Sequence, residues 1–171
     1  MSFPTTDAQG ELQAVNQILA SVGQAPVTTL EQTNPDVAIA YNTLQQVSRE
    51  VQAEGWTFNK EYHYPMHPSD PEQEIKIPDN MLQIDLCQDE VYNRDKDSIR
   101  RDGKLYDRTA HTYKWEQTVY CDIVWLFDWL DLPTPIRDYI TARAASMVSM
   151  RLVGDPNLYQ VLSQQESYMR S

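Results

Sequence analysis

Cationic side chains are scarce in this sequence. Its 171 residues include 14 Lys and Arg against 25 Asp and Glu, which gives a formal net charge of −11. Duplex binding needs Lys and Arg to neutralise phosphates, so this balance argues against a protein that wraps nucleic acid. It is compatible with DNA that slides past an acidic wall. A nucleic-acid-binding module is therefore a disfavoured hypothesis, and we expect no salt-sensitive shift of duplex DNA.

Thiols, histidines and long apolar runs are also few. Cys87 and Cys121 have no CxxC spacing, which favours core thiols over a disulfide or a zinc site. His63 and His67 lie four apart, but the prolines around them exclude a helix, so exposed loop histidines are expected. No apolar run approaches the ~20 residues that cross a bilayer. The first residues lack the regions of a secretory signal, so we expect synthesis and retention in a cytoplasm until assembly.

Known catalytic signatures are missing. The sequence contains no GxSxG elbow, P-loop, GxGxxG or HExxH motif. Facing carboxylates for a glycosidase can be proposed, such as Glu72 with Glu74 or Asp85 with Asp89 and Glu90. With 25 acids such pairs arise by chance, and a solvated acidic face is the simpler interpretation. We therefore expect a protein that is not an enzyme and has no cofactor or metal.

Four aromatic residues cluster near the end of the strand predicted at 118–126. Three interpretations are open for them: a carbohydrate-binding shelf, core packing between a β-rich part and helices, or a subunit interface. Arg49 leaves a similar choice between solvent exposure and an ion pair with Glu54 or Asp36 of a neighbouring subunit. The aromatic residues concerned are Trp115, Trp125, Phe127 and Trp129.

Two helices are predicted near the N-terminus. The first spans Asp7 to Val22, with Thr6 or Asp7 as its cap and the apolar stripe Leu12, Val15, Ile18, Leu19 and Val22. In the second, Asn34 is the N-cap, Pro35 suits the first helical position and Gly55 supplies the stop. The second apolar stripe is Val37, Ala40, Tyr41, Leu44, Val47 and Val51.

Two further helices are predicted at the other end of the chain. Thr134 caps the third, Pro135 starts it and Gly154 ends it. Asp155 and Pro156 start the fourth at once, which predicts a tight antiparallel helical hairpin. The predicted inner faces are Ile136, Tyr139, Ile140, Met147 and Met150, then Leu158, Val161, Leu162, Tyr168 and Met169.

Short strands are predicted between the two helical ends. Alternation that begins at Trp56 and Phe58 and continues through Tyr62 and Tyr64 is typical of a strand, whereas the prolines in 63–72 indicate a loop. The remaining predictions are short strands at 74–78 and 81–87, a charged surface turn at 93–101, a hairpin of 104–106 with 112–115, and the strongest strand at 118–126.

These elements predict an α+β fold. A single domain, 1–171, would consist of a four-helix bundle formed by 7–55 and 134–171, with an antiparallel β-rich subdomain inserted at 56–130. Trp56 and Phe58 are expected to fix the joint where the second helix passes into the β-rich part.

An ordered set of motifs from Leu12 to Glu61 resembles the tail tubular protein A family of T7-like short-tailed phages. It includes Asn34-Pro-Asp-Val-Ala38 and Glu54-Gly-Trp-Thr-Phe-Asn59. Further matching patches are Gly103-Lys-Leu-Tyr-Asp-Arg-Thr109 and Pro-Ile-Arg-Asp-Tyr-Ile140. The residues taken as structural or interface candidates are Asn34, Pro35, Arg49, Gly55, Trp56, Phe58, Tyr106, Asp107, Arg108, Trp125 and Trp129.

The resemblance implies a head-to-tail adaptor of the virion tail. Such a protein forms a dodecameric ring between the capsid portal and the tail nozzle, tubular protein B, with a tail fibre as a further candidate partner. Genomic DNA would pass through the ring without sequence-specific binding, and no membrane is involved. A C-terminal extension beyond Ser171 that clasps neighbours is a feature of the family, and the helices from Thr134 onward are expected to face the portal. The alternative is a tail-associated polysaccharide-degrading hydrolase.

Overall fold

In sequence order, two helices precede a run of short strands and two helices follow it, which confirms the α+β class. The computed structural model describes residues 5–31, 33–152 and 156–170. The helices are α1 (Thr5–Ser21), α2 (Pro35–Ala53), α3 (Thr134–Leu152) and α4 (Pro156–Arg170). The strands are β1 (Lys60–Met66), β2 (Met81–Leu86), β3 (Ser98–Arg101), β4 (Lys104–Asp107) and β5 (Val119–Trp125), and 3-10 turns lie at Val91–Asn93 and Trp129–Asp131.

The described chain divides into two compact units. A helical unit runs to Val51 and resumes at Asp128, and a β-rich unit comprises Gln52 to Phe127. No helix in the described ranges combines the length and apolar character needed to span a membrane.

The helical unit is held together by the apolar stripes of its helices. The stripes of α1 and α2 are buried as predicted, apart from the half-buried Leu12 and Tyr41. Each fully buried Val, Leu or Ile contributes about 1.5–3 kcal/mol. The middle helix α3 packs against both α1 and α4 and buries mainly small side chains. Arg170 donates to the Tyr139 hydroxyl while Arg143 faces Glu166, so α3 and α4 run antiparallel.

Several details at the helix ends and faces differ from prediction. α1 begins at Thr5, so Thr6 and Asp7 lie within the helix and not at its N-cap position. The carbonyl of Pro133 accepts the first bonds of α3, from the N–H groups of Ile136 and Arg137, so Thr134 is already helical. Gly154 and Asp155, the predicted turn, fall outside the described residues. The predicted inner face is wrong at four positions that are exposed, namely Met150, Val161, Tyr168 and Met169.

The β-rich unit is organised around its last strand. Antiparallel pairing on both sides of β5 gives the order β1-β5-β2, and β3 pairs with β4 in a separate two-stranded sheet. The strand predicted at 118–126 is thus the central one. Its Val119, Cys121 and Ile123 join a buried cluster that is completed by Met66, Ile75, Ile77, Met81, Leu86, Leu105 and Trp115.

The hairpin of the β-rich unit forms between different segments from those predicted. Arg101 pairs with Lys104 across Asp102-Gly103, whose φ angles are 55° and 71°. Two positive φ angles in a two-residue loop match the right-handed twist of paired strands, which explains the preference for Asp-Gly. The segment predicted as a surface turn therefore contains β3, and pairing of 104–106 with 112–115 shrinks to the isolated bridge Asp107–Thr112.

The first strand also begins and ends later than predicted. Residues 56–59 form a turn, in which the N–H groups of Asn59 and Lys60 both bond the Trp56 carbonyl. β1 continues through His63, which was assigned to a loop, and the register shifts between Glu61 and Tyr64. Residues 74–78 contribute isolated bridges only.

Candidate interface residues and the joint of the β-rich unit

The start of α2 is capped as predicted. The Oδ1 atom of Asn34 accepts a hydrogen bond from the N–H of Asp36 at 3.0 Å. Pro35 occupies the first helical position, where the missing N–H removes no helical bond. Both residues are exposed, and their observed contribution is to start the helix. A role for them in an interface stays a prediction.

Arg49 lies on the exposed side of α2. It has no ion-pair partner in the part of the chain that the structure describes, whereas its neighbour Glu50 lies 3.6 Å from the Arg143 guanidinium. Pairing of Arg49 with Glu54 or Asp36 of another subunit also stays a prediction.

The exit from α2 is built around a glycine and a buried asparagine. Gly55 has a φ of +79°, the left-handed conformation that ends helices without a Cβ penalty. Asn59 is 1% exposed. Its Nδ2 donates to the carbonyls of Gln52 at 2.7 Å and Trp125 at 2.9 Å, and its Oδ1 accepts from the Trp56 N–H at 2.7 Å. One side chain thus ties three backbone segments of the β-rich unit together.

A second buried amide closes the same unit. Gln52 is fully buried, and its Oε1 accepts from the N–H of Phe127 at 2.7 Å while its Nε2 donates to the Phe127 carbonyl at 3.3 Å. The side chain therefore bonds the backbone of Phe127 as a paired strand would. Gln52 and Phe127 are the first and last residues of the β-rich unit, so this contact fixes its two ends.

Two aromatic pairs lie in the same part of the β-rich unit. The rings of Phe58 and Phe127 lie 6.0 Å apart at 34°, and Tyr64 meets Trp125 edge-on at 5.3 Å. Both separations fall in the range that stabilises aromatic pairs. Trp56 is half-buried and contributes its backbone N–H to Asn59.

The aromatic residues do not form the exposed shelf that a glycan-binding site would need. Trp115 is 1% exposed in the core of the β-rich unit, and its Nε1 donates to the Leu105 carbonyl at 2.9 Å. Trp129 is 7% exposed and lies in the helical unit beside Gly10, where an added Cβ would come within 2.9 Å of the indole. The shelf interpretation is wrong for both tryptophans.

The Tyr106-Asp107-Arg108 patch is a loop built on a buried carboxylate. Asp107 is 3% exposed, and its Oδ1 accepts from the N–H groups of Thr109 and Ala110 at 3.0 and 3.1 Å. Arg108 is exposed and lies 3.4 Å from Asp97. Tyr106 packs its ring edge-on against another tyrosine ring. These contacts give the patch a structural role at the end of β4.

In the helical unit, the pKa of Tyr41 is shifted from its usual value. Burial raises the pKa of Tyr41 to about 12, and the charge of Glu11 and a hydrogen bond to it act in the same direction. Glu11 also accepts from Gln45 at 3.0 Å, so it links α1 to α2.

The comparisons with known proteins identify the family. Residues 12–171 match the sequence profile of the family described as Tube, tail tubular protein. The chain belongs to the tail tubular protein family. A relative, tail tubular protein A of Klebsiella phage KP34, is 28% identical over 160 residues, which cover 92% of this chain and 82% of that protein. The resemblance predicted from the motifs is confirmed, and the protein is a structural component of a phage tail.

For a tail tubular protein, the four mispredicted side chains of the helical unit are informative. Met150, Val161, Tyr168 and Met169 are 60%, 52%, 82% and 45% exposed. Val161 and Tyr168 lie seven residues apart and therefore on one side of α4, about 100–120° around the helix from the buried Leu162. Exposed apolar side chains that share one side of a helix are typical of surfaces that bind another protein.

Gln52 and Asn59 are the residues of the joint that sequence reasoning missed. Their hydrogen-bond partners lie up to 75 residues away in sequence, so no local pattern predicts that these two side chains are buried and bonded. The sequence offers little signal for Gln52, because the end of α2 is rich in polar residues, and for Asn59 only its position beside the aromatic Phe58.

Proposed function

We propose that this tail tubular protein is the head-to-tail adaptor of its phage, a ring subunit that joins the capsid portal to the tail nozzle and lines the DNA ejection channel. The family match over residues 12–171 carries this proposal. In it, the subunit has no catalytic role, is made in the host cytoplasm and assembles as a dodecamer. We also propose that helices α1 to α4 form a four-helix bundle. A tail fibre is a further candidate partner of the ring.

Exposed apolar groups support ring formation. A heterologous contact between copies closes into a ring when the rotation per subunit allows. The side of α4 that carries Val161 and Tyr168 supplies apolar area for such a contact, and Met150 near the end of α3 is a further exposed apolar side chain. We assign this surface to contacts within the tail.

The charge balance supports passage of DNA without binding. A net charge of −11 on each subunit is multiplied around a ring, and like-charge repulsion keeps phosphates from adhering to the channel wall. Genomic DNA would then move through the channel whatever its sequence.

Assembly on the portal tests the proposal directly. Purified protein is mixed with isolated portal, and the product is examined by electron microscopy and native mass spectrometry. We expect a ring of twelve copies stacked on the portal. Absence of any ring on the portal under these conditions would refute the adaptor role.

Two matched variants test the α4 surface. Val161→Asp and Ser167→Asp each add one negative charge at an exposed position of the same helix, so both should fold normally by circular dichroism. Ser167 lies about 100–120° around the helix from Val161 and Tyr168, at 3.6 residues per turn. We expect Val161→Asp to reduce ring formation at least tenfold and Ser167→Asp to leave it nearly unchanged. Equal effects would show that added charge, and not the lost apolar contact, is responsible.

Cross-linking tests the orientation of the subunit. Met169→Cys in α4 and Ile99→Cys in β3 place thiols at two positions that are each 45% exposed. We expect Met169→Cys to cross-link to the portal and Ile99→Cys to the nozzle. The opposite result would reverse the orientation while leaving the adaptor role intact.

A further inference from the structure

Three ligand-type side chains meet just after the end of β2. The Sγ of Cys87 lies 3.4 Å from the Nε2 of His63, and the Oδ2 of Asp89 lies 3.8 Å from the same nitrogen. One donor atom of each residue falls within 4.8 Å of the other two. Glu90 stands beside them, with its Oε1 3.6 Å from the Nδ1 of His63.

The positions of these groups are fixed by the sheet. Cys87 follows the last residue of β2, and its N–H bonds the Tyr120 carbonyl at 3.0 Å. The buried Asn93 donates to the carbonyls of both Cys87 and Tyr120 at 2.8 Å. His63 lies in the irregular part of β1 with a φ of 57°, and its N–H bonds Asp122 at 3.3 Å. β1 and β2 both pair with β5. The pairing of these three strands therefore sets the positions of the His63 and Cys87 backbones relative to each other.

Two of the separations are close to those of a tetrahedral metal site. Zinc binds thiolate at ~2.3 Å, imidazole at ~2.0–2.1 Å and carboxylate at ~2.0–2.2 Å, so tetrahedral geometry separates S from N by about 3.6 Å and N from O by about 3.4 Å. The observed separations from Nε2, 3.4 and 3.8 Å, differ from these by about 0.2–0.4 Å. The Sγ of Cys87 also lies 3.6 Å from Nδ1 and thus faces the ring between its two nitrogens, so metal binding requires the exposed imidazole to turn until the Nε2 lone pair points toward the thiol.

We propose that His63, Cys87 and Asp89 form a binding site for Zn²⁺ or a similar divalent transition metal, with water in the fourth position. Glu90 faces Nδ1, the other ring nitrogen, where a carboxylate orients a metal-binding imidazole. A thiolate with an imidazole selects such ions over Mg²⁺ or Ca²⁺, which prefer oxygen alone. The bound ion would link β1 to the segment after β2 and so staple the β-rich unit. The proposal is independent of ring assembly.

A plain ion pair between His63 and the two acids accounts for less of the geometry. The Asp89 side chain is 87% exposed, and exposed ion pairs add little to stability because water screens them. Such a pair also does not explain why the Cys87 thiol contacts the imidazole. The second cysteine cannot replace Cys87, because Cys121 lies fully buried in the core and its pKa is raised to about 12, chiefly by burial.

Cobalt titration of the full, tag-free chain tests the site. Co²⁺ is a spectroscopic substitute for Zn²⁺ that shows intense visible bands in tetrahedral sites and a near-ultraviolet charge-transfer band when a thiolate is bound. We expect both signals to saturate at one Co²⁺ per chain and to disappear when Zn²⁺ is added. Saturation without a charge-transfer band, or no binding at all, would overturn the proposal.

Variants assign the ligands. Cys87→Ser should abolish the charge-transfer band. His63→Asn removes the imidazole with a residue that tolerates a positive φ, and it should weaken binding at least about 100-fold, since loss of even an outer-shell partner costs 10–100-fold. The matched control is His111→Asn, an exposed histidine with a φ of 56° outside the cluster, which should bind as the parent does.

Thermal melting provides a second measurement that does not depend on colour. Zn²⁺ should raise the melting temperature of the parent chain and of His111→Asn, because an ion that binds only the folded state stabilises it. It should not raise that of His63→Asn. Because His63 is exposed, this variant folds even where Cys87→Ser does not, and equal zinc stabilisation of all three chains would overturn the assignment.

Discussion

Replacing Asn59 by alanine should lower the free energy of unfolding by about 3 kcal/mol. The change removes three hydrogen bonds of the buried amide, to Gln52, Trp56 and Trp125. A typical bond contributes about 1 ± 0.5 kcal/mol net, and this sum gives the magnitude.

Two other asparagines provide a graded comparison. Asn93 is equally buried but makes two bonds, and its Oδ1 has no hydrogen-bond partner among the described residues, so Asn93→Ala should cost about 2 kcal/mol or less. Asn80 is exposed, and Asn80→Ala should change stability by less than about 0.5 kcal/mol.

Urea unfolding followed by tryptophan fluorescence measures the series. With a slope of about 2 kcal/mol per molar urea, a loss of 3 kcal/mol lowers the midpoint by about 1.5 M. The expected order of stability is Asn80→Ala, then Asn93→Ala, then Asn59→Ala. An Asn59→Ala midpoint equal to that of Asn80→Ala would refute the view that the Asn59 amide stabilises the exit from α2 and its link to the end of β5.

Three further predictions concern the helical unit and the exit from α2. Asn34→Ala should cost about 1 kcal/mol in urea unfolding because Asp36 loses its capping acceptor, and Asn34→Asp should restore most of it. Gly55→Ala should cost about 1–2 kcal/mol, since its φ is +79°, with a smaller loss for Gly55→Asn; equal losses would contradict a conformational cause. The raised pKa of Tyr41 contributes stability that is complete below pH 10 and is lost as pH rises toward about 12, so Tyr41→Phe should flatten the decline of the melting temperature in that range. An unchanged decline would show that other groups cause it.

Local chemistry was enough to predict α2. Its cap at Asn34, the proline after it, the apolar stripe and the left-handed Gly55 each act within a few residues, and each is found where the sequence places it. The central strand β5 was equally predictable, because β-branched and aromatic residues dominate it.

The errors arise where distant partners decide the structure. Which side of α4 is inner depends on α3, and the apolar Val161 and Tyr168 on its outer side could not be told from core residues by spacing alone. Asn59 and its partner Trp125 are 66 residues apart. The hairpin at Asp102-Gly103 is a different case, because the Asp-Gly signal was present in the sequence and a weaker pairing was preferred to it.

The division of the chain has a consequence for synthesis on the ribosome. The helical unit needs α3, yet 76 residues separate Val51 from Asp128. At about 5–20 residues per second, the ribosome takes roughly 4–15 s to make that segment. The β-rich unit is contiguous and can close during this time, once β5 has emerged. Until α3 has been synthesised, the apolar stripes of α1 and α2 are not fully buried. The nascent chain is therefore most prone to aggregate in this interval.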